Sequence, residues 1–298
     1  MTFSSNERRA RSATVVGLGP MGAAIARAFI QAGVDTTVWN RTRSKADALA
    51  ADGARVAADL GSAVGHADLV VTVLRDHQTT RRFLETVPAD LRQGRTFVVL
   101  ASSSPAEARQ TQAWAEQNGL DLLQGAIMVP EPLIGTDNGL ILYCGDEKLL
   151  DRWRPVLEIA APRSPFLGLD PGLAALHDTA MVQVFFAAMT AFLHSSAMAT
   201  AQGLTAKNFL PWAEEMLAIL PATFEQLAHD VDGGAYSGAE DNLLMELSAL
   251  EHIHTTSVET GVDPQLPALM RDLARRALDD GHGADSWSRI VEGLRSTV

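Results

Sequence analysis

The stretch TVVGLGPMGAAIARAFIQAG, residues 14–33, constrains the fold of this chain more than any other. It runs from a short apolar segment through Gly17, Gly19 and Gly22 into a helical pattern, which is G-x-G-x-x-G in the context of strand, turn and helix. Gly17 permits the tight turn, Gly19 lets a pyrophosphate approach the backbone, and Gly22 lets the helix pack closely on the strand. The helix N-terminus presents unpaired N–H groups to an anion. The spacing therefore predicts a dinucleotide site over Gly17, Leu18, Gly19, Pro20, Met21 and Gly22. An ordinary turn before a helix is the competing reading.

Up to about residue 150, short apolar runs alternate with helical patterns. The candidate strands are ATVVGL, DTTVWN, ADLVVTVL, TFVVLAS, LDLLQGAI and GLILYCG, with helices such as MGAAIARAFIQAG and SPAEARQTQAWAEQNG between them. Strands alternating with helices imply a mostly parallel, doubly wound sheet. After RSPFLGLDPG the strands vanish and only helical patterns follow, among them KNFLPWAEEMLAILPATFEQLAHD, SGAEDNLLMELSALEHIHTTSVETG and PQLPALMRDLARRALDDG. The expected class is α/β: a polar tail over 1–12, a Rossmann-type domain over 13–170, then a long interdomain helix and an all-helical domain over 171–298.

The second strand ends in TVWNRTRSK. A site for NADH usually carries Asp or Glu here, about 20 residues past the glycines, to bond the ribose 2′-hydroxyl. This chain has Asn40, followed by Arg41, Thr42, Arg43 and Lys45. A neutral residue with cations suits a 2′-phosphate, because charge-assisted bonds replace repulsion by a carboxylate. NADPH is therefore expected over NADH, although a solvated basic loop has the same composition. Later strand ends should approach the nicotinamide, which nominates Leu74 and Arg75 from TVLRD, and Ser102, Ser103 and Ser104 from ASSSP.

From Thr179 through Ala206 there is no Asp, Glu, Lys or Arg. Asp178 stands at the head of that apolar run, and an unpaired carboxylate is expensive to bury. A helix of about 30 residues runs roughly 45 Å. Apolar on nearly every side, it needs cover all round, and a partner subunit supplies that most simply, so an intertwined homodimer is expected. A membrane span is the weaker reading, since Gln183, His194, Ser195, Ser196 and Gln202 fall within the run and polar groups are costly in lipid. The formal charge of −12 tells against a nucleic-acid or anionic-membrane surface. Cys144 is the only cysteine, and the polar start MTFSSNERRARSA has no apolar signal-like run, so a reducing cytoplasm is expected.

Together, the glycine fingerprint, WNRTRSK, the long interdomain helix and the helical C-terminal half resemble the 6-phosphogluconate and β-hydroxyacid dehydrogenase superfamily. That group uses a lysine on the interdomain helix, yet PGLAALHDTAM has none, and its Gly-Gly substrate loop is replaced by QGAIMVPEPLIGTDNGLILYCG. That segment, LGLDPGLAALHDTAM and DNLLMELSALEHIHTTSVETGVD are similar instead to NADPH-dependent imine reductases and reductive aminases, a resemblance covering nearly the whole chain. It implies NADPH-dependent C=N reduction, with reductive amination as an extension, and Asp178 in the lysine's place. A tyrosine common among reductive aminases corresponds to Phe186, and the family's frequent Asn or Asp after the fourth strand corresponds to Arg75.

The exchange of lysine for Asp178 has a physical logic. An iminium accepts hydride more readily than a neutral imine; a carboxylate stabilises that cation whereas lysine repels it, and a protonated carboxyl can donate. Helical spacing puts Asp178, Val182, Phe185, Phe186 and Met189 on one broad face, a carboxylate above an apolar wall. The other reading makes Asp178 a helix-start residue favoured by the macrodipole and the phenylalanines core. Trp212, Met216, Met245 and Glu246 are further pocket candidates, from this chain or its partner, with plain helix packing as the alternative. His177 points about 100° away from Asp178 on a helix. His252 and His254, two apart, make poor geometry for one metal, so none is expected, and LASSSP lacks the frame of a nucleophile elbow. Two other functions stay open at this level: a β-hydroxyacid dehydrogenase-like oxidoreductase, and a catalytically silent NADPH-binding protein.

Overall fold

The computed structural model describes residues 12–295. The expected tail lies outside the described residues apart from Ser12, which corrects that boundary: it opens strand β1, Ser12–Val16, opposite Asp35. The chain continues through α1 (Pro20–Gln31), β2 (Asp35–Trp39), α2 (Arg43–Ala50), β3 (Arg55–Val56), α3 (Leu60–Gly65), β4 (Leu69–Thr72), α4 (His77–Thr86) and α5 (Ala89–Arg92). Then follow β5 (Thr96–Leu100), α6 (Pro105–Gln117), β6 (Asp121–Ile127), β7 (Ile141–Gly145) and α7 (Glu147–Ala160).

These strands make one sheet in the order β3-β2-β1-β4-β5-β6-β7. All pairs are parallel except β6 with β7. The exception follows from the connection, because a parallel return needs a crossover that is usually a helix. Residues 128–140 offer only a short 3₁₀ turn, Glu131–Leu133. Burial on both faces explains why the strands read as unbroken apolar runs. Along β5, Val98 and Leu100 join Ile25, Phe29, Leu150 and Trp153 beneath α1 and α7, while Phe97 and Val99 join Phe83, Leu84 and Ala115 beneath α4 and α6. Strand order reverses between β1 and β4, opening a crevice at their carboxyl ends where sheets of this kind bind ligands.

Helix α8, Leu173–Ala201, crosses the division between two compact units, residues 1–183 and 184–298. In the second unit follow α9 (Ala206–Gly233), α10 (Leu243–Glu259), α11 (Gln265–Asp279) and α12 (Ile290–Arg295). The pattern SGAEDNLLMELS starts helical five to six residues later than its composition suggests, because Asn242 caps α10 by accepting from the Met245 N–H at 3.1 Å. Leu243, Leu250 and Ala274 form this unit's core with Met270, Trp287 and Ile290 packed around them.

By length and hydropathy alone α8 is long and apolar enough to cross a membrane. Its second half is instead seated in the helical unit. His194 Nε2 meets the Asp263 carbonyl at 2.9 Å, Ser257 Oγ donates to Met198 Sδ, and Phe192 stacks on Phe209. Leu176, Met181, Val184, Phe185, Phe186 and Leu193 remain exposed.

Candidate active site

The glycine loop lies in the crevice beside β4. Gly17 has φ +90°, and a Cβ there would overlap the Val73 carbonyl oxygen. A Cβ on Gly22 would overlap the Gly17 carbonyl oxygen and press on Val73 Cβ. Gly19 differs: its φ is −69°, it caps α1 with no side-chain bond, and a Cβ on it would meet nothing within 4 Å. Two glycines are therefore required by the protein itself, and the third guards open space over uncapped helix N–H groups. An anionic ligand fits that cradle.

Asn40 ties this loop to the second strand. Its Oδ1 accepts from the Leu18 N–H at 2.9 Å and its Nδ2 donates to the Thr42 carbonyl at 3.0 Å. Aspartate would lose the donor half of that brace. Trp39, Asn40, Arg41, Arg43, Asp59 and Leu60 border a cavity of about 300 Å³ at this end. Arg43 is engaged with Asp47 at 3.4 Å, while Arg41 and Lys45 form no ion pair among the described residues. Thr42, at the start of α2, makes no side-chain cap. Two cations and a free helix terminus are what a 2′-phosphate needs.

Asp178 lies in the second turn of α8, since the helix begins at Leu173 and its first turn holds no acidic residue. A macrodipole role at the helix start is thereby removed. Half-buried, the carboxyl borders a cavity of about 240 Å³ with Met21, Val73, Leu74, Arg75, Leu100, Ala101, Ser102, Ala126 and Ile127. Burial pushes its pKa up, and a hydrogen bond from the Ser102 hydroxyl opposes that rise. The lead-in to α8 is held firmly. Arg109 of α6 grips Asp170 through two bonds of 2.8 and 2.7 Å, and Asp170 Oδ1 accepts from the Gly172 N–H at 2.9 Å. Cys144 Sγ accepts from Ala174 N–H and donates to the Pro171 carbonyl, both at 3.3 Å.

The structure thus brings Met21, Leu74 and Ser102 to Asp178. Ser102 was expected at the cofactor alone; that it also contacts Asp178 had no signal in sequence, as 75 residues lie between them. Ser103 Oγ is buried with no partner among the described residues, an orphan suited to a ligand hydroxyl or amide. Ser104 is committed to capping α6 with Glu107. Val182, one turn beyond Asp178, is exposed and does not line this cavity. In the second unit Phe185 and Phe186 meet edge to face with centroids 5.9 Å apart, and Met189 is exposed. Met216 and Glu246 line a separate cavity of about 900 Å³ with Leu220, Asp230, Asp241 and Trp287, while Trp212 and Met245 are exposed. His177 turns its Nδ1 to the Leu173 carbonyl at 2.8 Å.

Residues 12–168 match the model of the NAD binding domain of 6-phosphogluconate dehydrogenase, and residues 170–296 match that of the NADPH-dependent reductive aminase-like C-terminal domain. The chain is 30% identical over 286 residues to the NADPH-dependent reductive aminase of Aspergillus oryzae, covering 93% of this chain and 95% of that one. It is similar to the imine reductase BcSIRED of Bacillus cereus, with TM-score 0.89, 37% identity, and coverage of 96% and 99%. The reductive aminase of Aspergillus terreus, solved with NADPH4, cyclohexanone and allyl amine, superposes with TM-score 0.89 at 32% identity, covering 96% and 99%.

Proposed function

This chain belongs to the family of NADPH-dependent imine reductases and reductive aminases, and we propose that Asp178 is the carboxylate that holds the substrate nitrogen as a cation during reduction. It is an NADPH-dependent oxidoreductase acting on C=N bonds. Bound at the glycine cradle, NADPH supplies the hydride that the substrate carbon accepts. The protein's own groups do the rest. The loop from Gly17 to Gly22 and the uncapped start of α1 receive the pyrophosphate, and Arg41, Thr42 and Lys45 receive the 2′-phosphate. Leu74, Ser102 and Ser103 border the nicotinamide end. Asp178, desolvated among apolar strand ends, faces the nitrogen of a cyclic imine or of an imine formed from ketone and amine.

The observation that carries this reading is the position of Asp178 in the cavity that also holds Met21 from the cofactor loop. An imine that enters as its iminium needs no proton from the protein, and Asp178 stabilises that cation. Following NADPH absorbance with 2-methyl-1-pyrroline, and then with cyclohexanone plus an amine, tests the assignment. Imine-dependent oxidation supports it; NADP⁺ reduction by small hydroxyacids, or binding without turnover, overturns it.

A homodimer in which a second copy covers α8 is part of the proposal. The exposed Val184, Phe185, Phe186 and Leu193 of α8 are accompanied by exposed Trp212, Met216, Ile219 and Phe224 on α9, more apolar surface than a soluble monomer ordinarily shows. The partner's helical unit is then the source of Trp212, Met216 and Met245 as a substrate wall. A monomeric mass by light scattering contradicts it. The single, buried Cys144 suits a cytoplasmic location, and secretion of the native chain would refute that placement.

A further inference from the structure

We propose that Arg75 makes this site selective for imines that carry a carboxylate beside the C=N bond, with Asp178 facing the iminium nitrogen and Arg75 the carboxylate. The inference rests on the assignment of Asp178 to the substrate nitrogen and adds a substrate class to it.

The cavity at Asp178 is otherwise built from apolar side chains and one hydroxyl, Ser102, so its two charges are one of each sign. Arg75 follows β4 in the loop that flanks the crevice. Its Nε donates to Asp76 at 2.8 Å, and no other hydrogen bond engages its guanidinium among the described residues. The side chain is 87% exposed, so its terminal amino groups are available to a ligand. Asp76 engages only the Nε edge: its Oδ2 meets Nε and its Oδ1 caps α4 through the Thr79 N–H at 2.7 Å, so the two terminal amino groups of Arg75 keep their donors. His77 adds no second cation near neutral pH, since burial pushes its pKa down to about 4. Arg75 is thus the cationic group of this cavity.

The cofactor's anionic groups have partners elsewhere, at the glycine loop and at Arg41, Thr42 and Lys45, which leaves the Arg75 fork unassigned. A guanidinium presents parallel N–H donors that match a planar carboxylate. An iminium with an adjacent carboxylate is a zwitterion whose charges complement the two groups in sign. Its reduction moves hydride to carbon and the C=N π pair to nitrogen, so the carboxylate is untouched and serves only for binding.

The test compares 1-pyrroline-2-carboxylate with 2-methyl-1-pyrroline, a pair differing in carboxylate against methyl, in the full-length protein and in Arg75→Gln. The proposal expects the native protein to favour the carboxylate by about tenfold or more in kcat/KM, and R75Q to bring that ratio close to 1. Calorimetry adds a readout independent of turnover: proline should bind the native protein with NADP⁺ present at least about tenfold more tightly than 2-methylpyrrolidine does, and R75Q should erase the difference. Absence of a preference in the native protein overturns the proposal. So does an equal loss on both imines in R75Q, or a weakened Kd for NADPH, which would assign Arg75 to the cofactor. Failure of the Asp178 assignment is separable, because it leaves the Arg75-dependent binding difference intact while Asp178→Asn leaves turnover unaltered.

Discussion

Replacing Gly19 and Gly22 singly by alanine should separate what the glycine loop does for the fold from what it does for the cofactor. At Gly22 the new methyl overlaps the Gly17 carbonyl oxygen and lies 3.3 Å from Val73 Cβ, both fixed by the sheet. Overpacking against fixed neighbours costs about 3 kcal/mol at the upper end of its usual range, and helix propensity returns about 1 kcal/mol for Gly→Ala. The net loss of about 2 kcal/mol corresponds to a Tm lower by roughly 3 °C in a chain of this size. At Gly19 the methyl meets nothing within 4 Å and the backbone is in an ordinary region, φ −69°. The apoprotein of Gly19→Ala should therefore melt within about 1 °C of the native protein. Its methyl occupies the approach to the α1 N-terminus, so NADPH should bind about tenfold more weakly, which is 1.4 kcal/mol. Thermal melts without cofactor and calorimetric titration with NADPH read the two effects separately. If Gly19→Ala unfolds as early as Gly22→Ala, or binds NADPH as the native chain does, the division of roles is wrong.

Further outcomes follow from the same geometry. Ser102→Ala removes the hydrogen bond that opposes the burial-raised pKa of Asp178. The carboxylate then forms only at higher pH, so the acid limb of kcat/KM at saturating NADPH should move upward; an unmoved or lowered limb contradicts the contact. Arg41→Ala and Lys45→Ala should each raise the KM for NADPH by about tenfold, with little effect on NADH, and the penalty should shrink in high salt. Equal effects on both cofactors would remove the 2′-phosphate assignment.

Much of this arrangement is written locally. The glycine loop, the Asn40 brace and the cations after it occupy one βαβ unit, where spacing alone places them. The two-residue β3 is too short to carry a periodic signal, and β7 has the same apolar composition as the strands that pair in parallel. Its reversal is encoded in the missing crossover helix over residues 128–140 rather than in the strand. The late start of α10 was readable from Asn242, a good N-cap ahead of an apolar run. The partnership of Ser102 with Asp178 was not, because it depends on how the sheet and α8 are packed. The exposed face of α8 shows the same limit from the other side: its composition demands cover, but composition does not name what supplies it.

The central claim is that Asp178 stabilises an iminium, and Asp178→Asn tests it most directly. The amide keeps the size of the side chain and can still accept from Ser102, but removes the charge. With 2-methyl-1-pyrroline and saturating NADPH, kcat/KM should fall by about 100-fold or more, the usual scale for losing a group that acts on the proton or charge of the reacting centre. The Kd for NADPH should stay within about twofold. A kcat/KM within threefold of the native value would contradict the account.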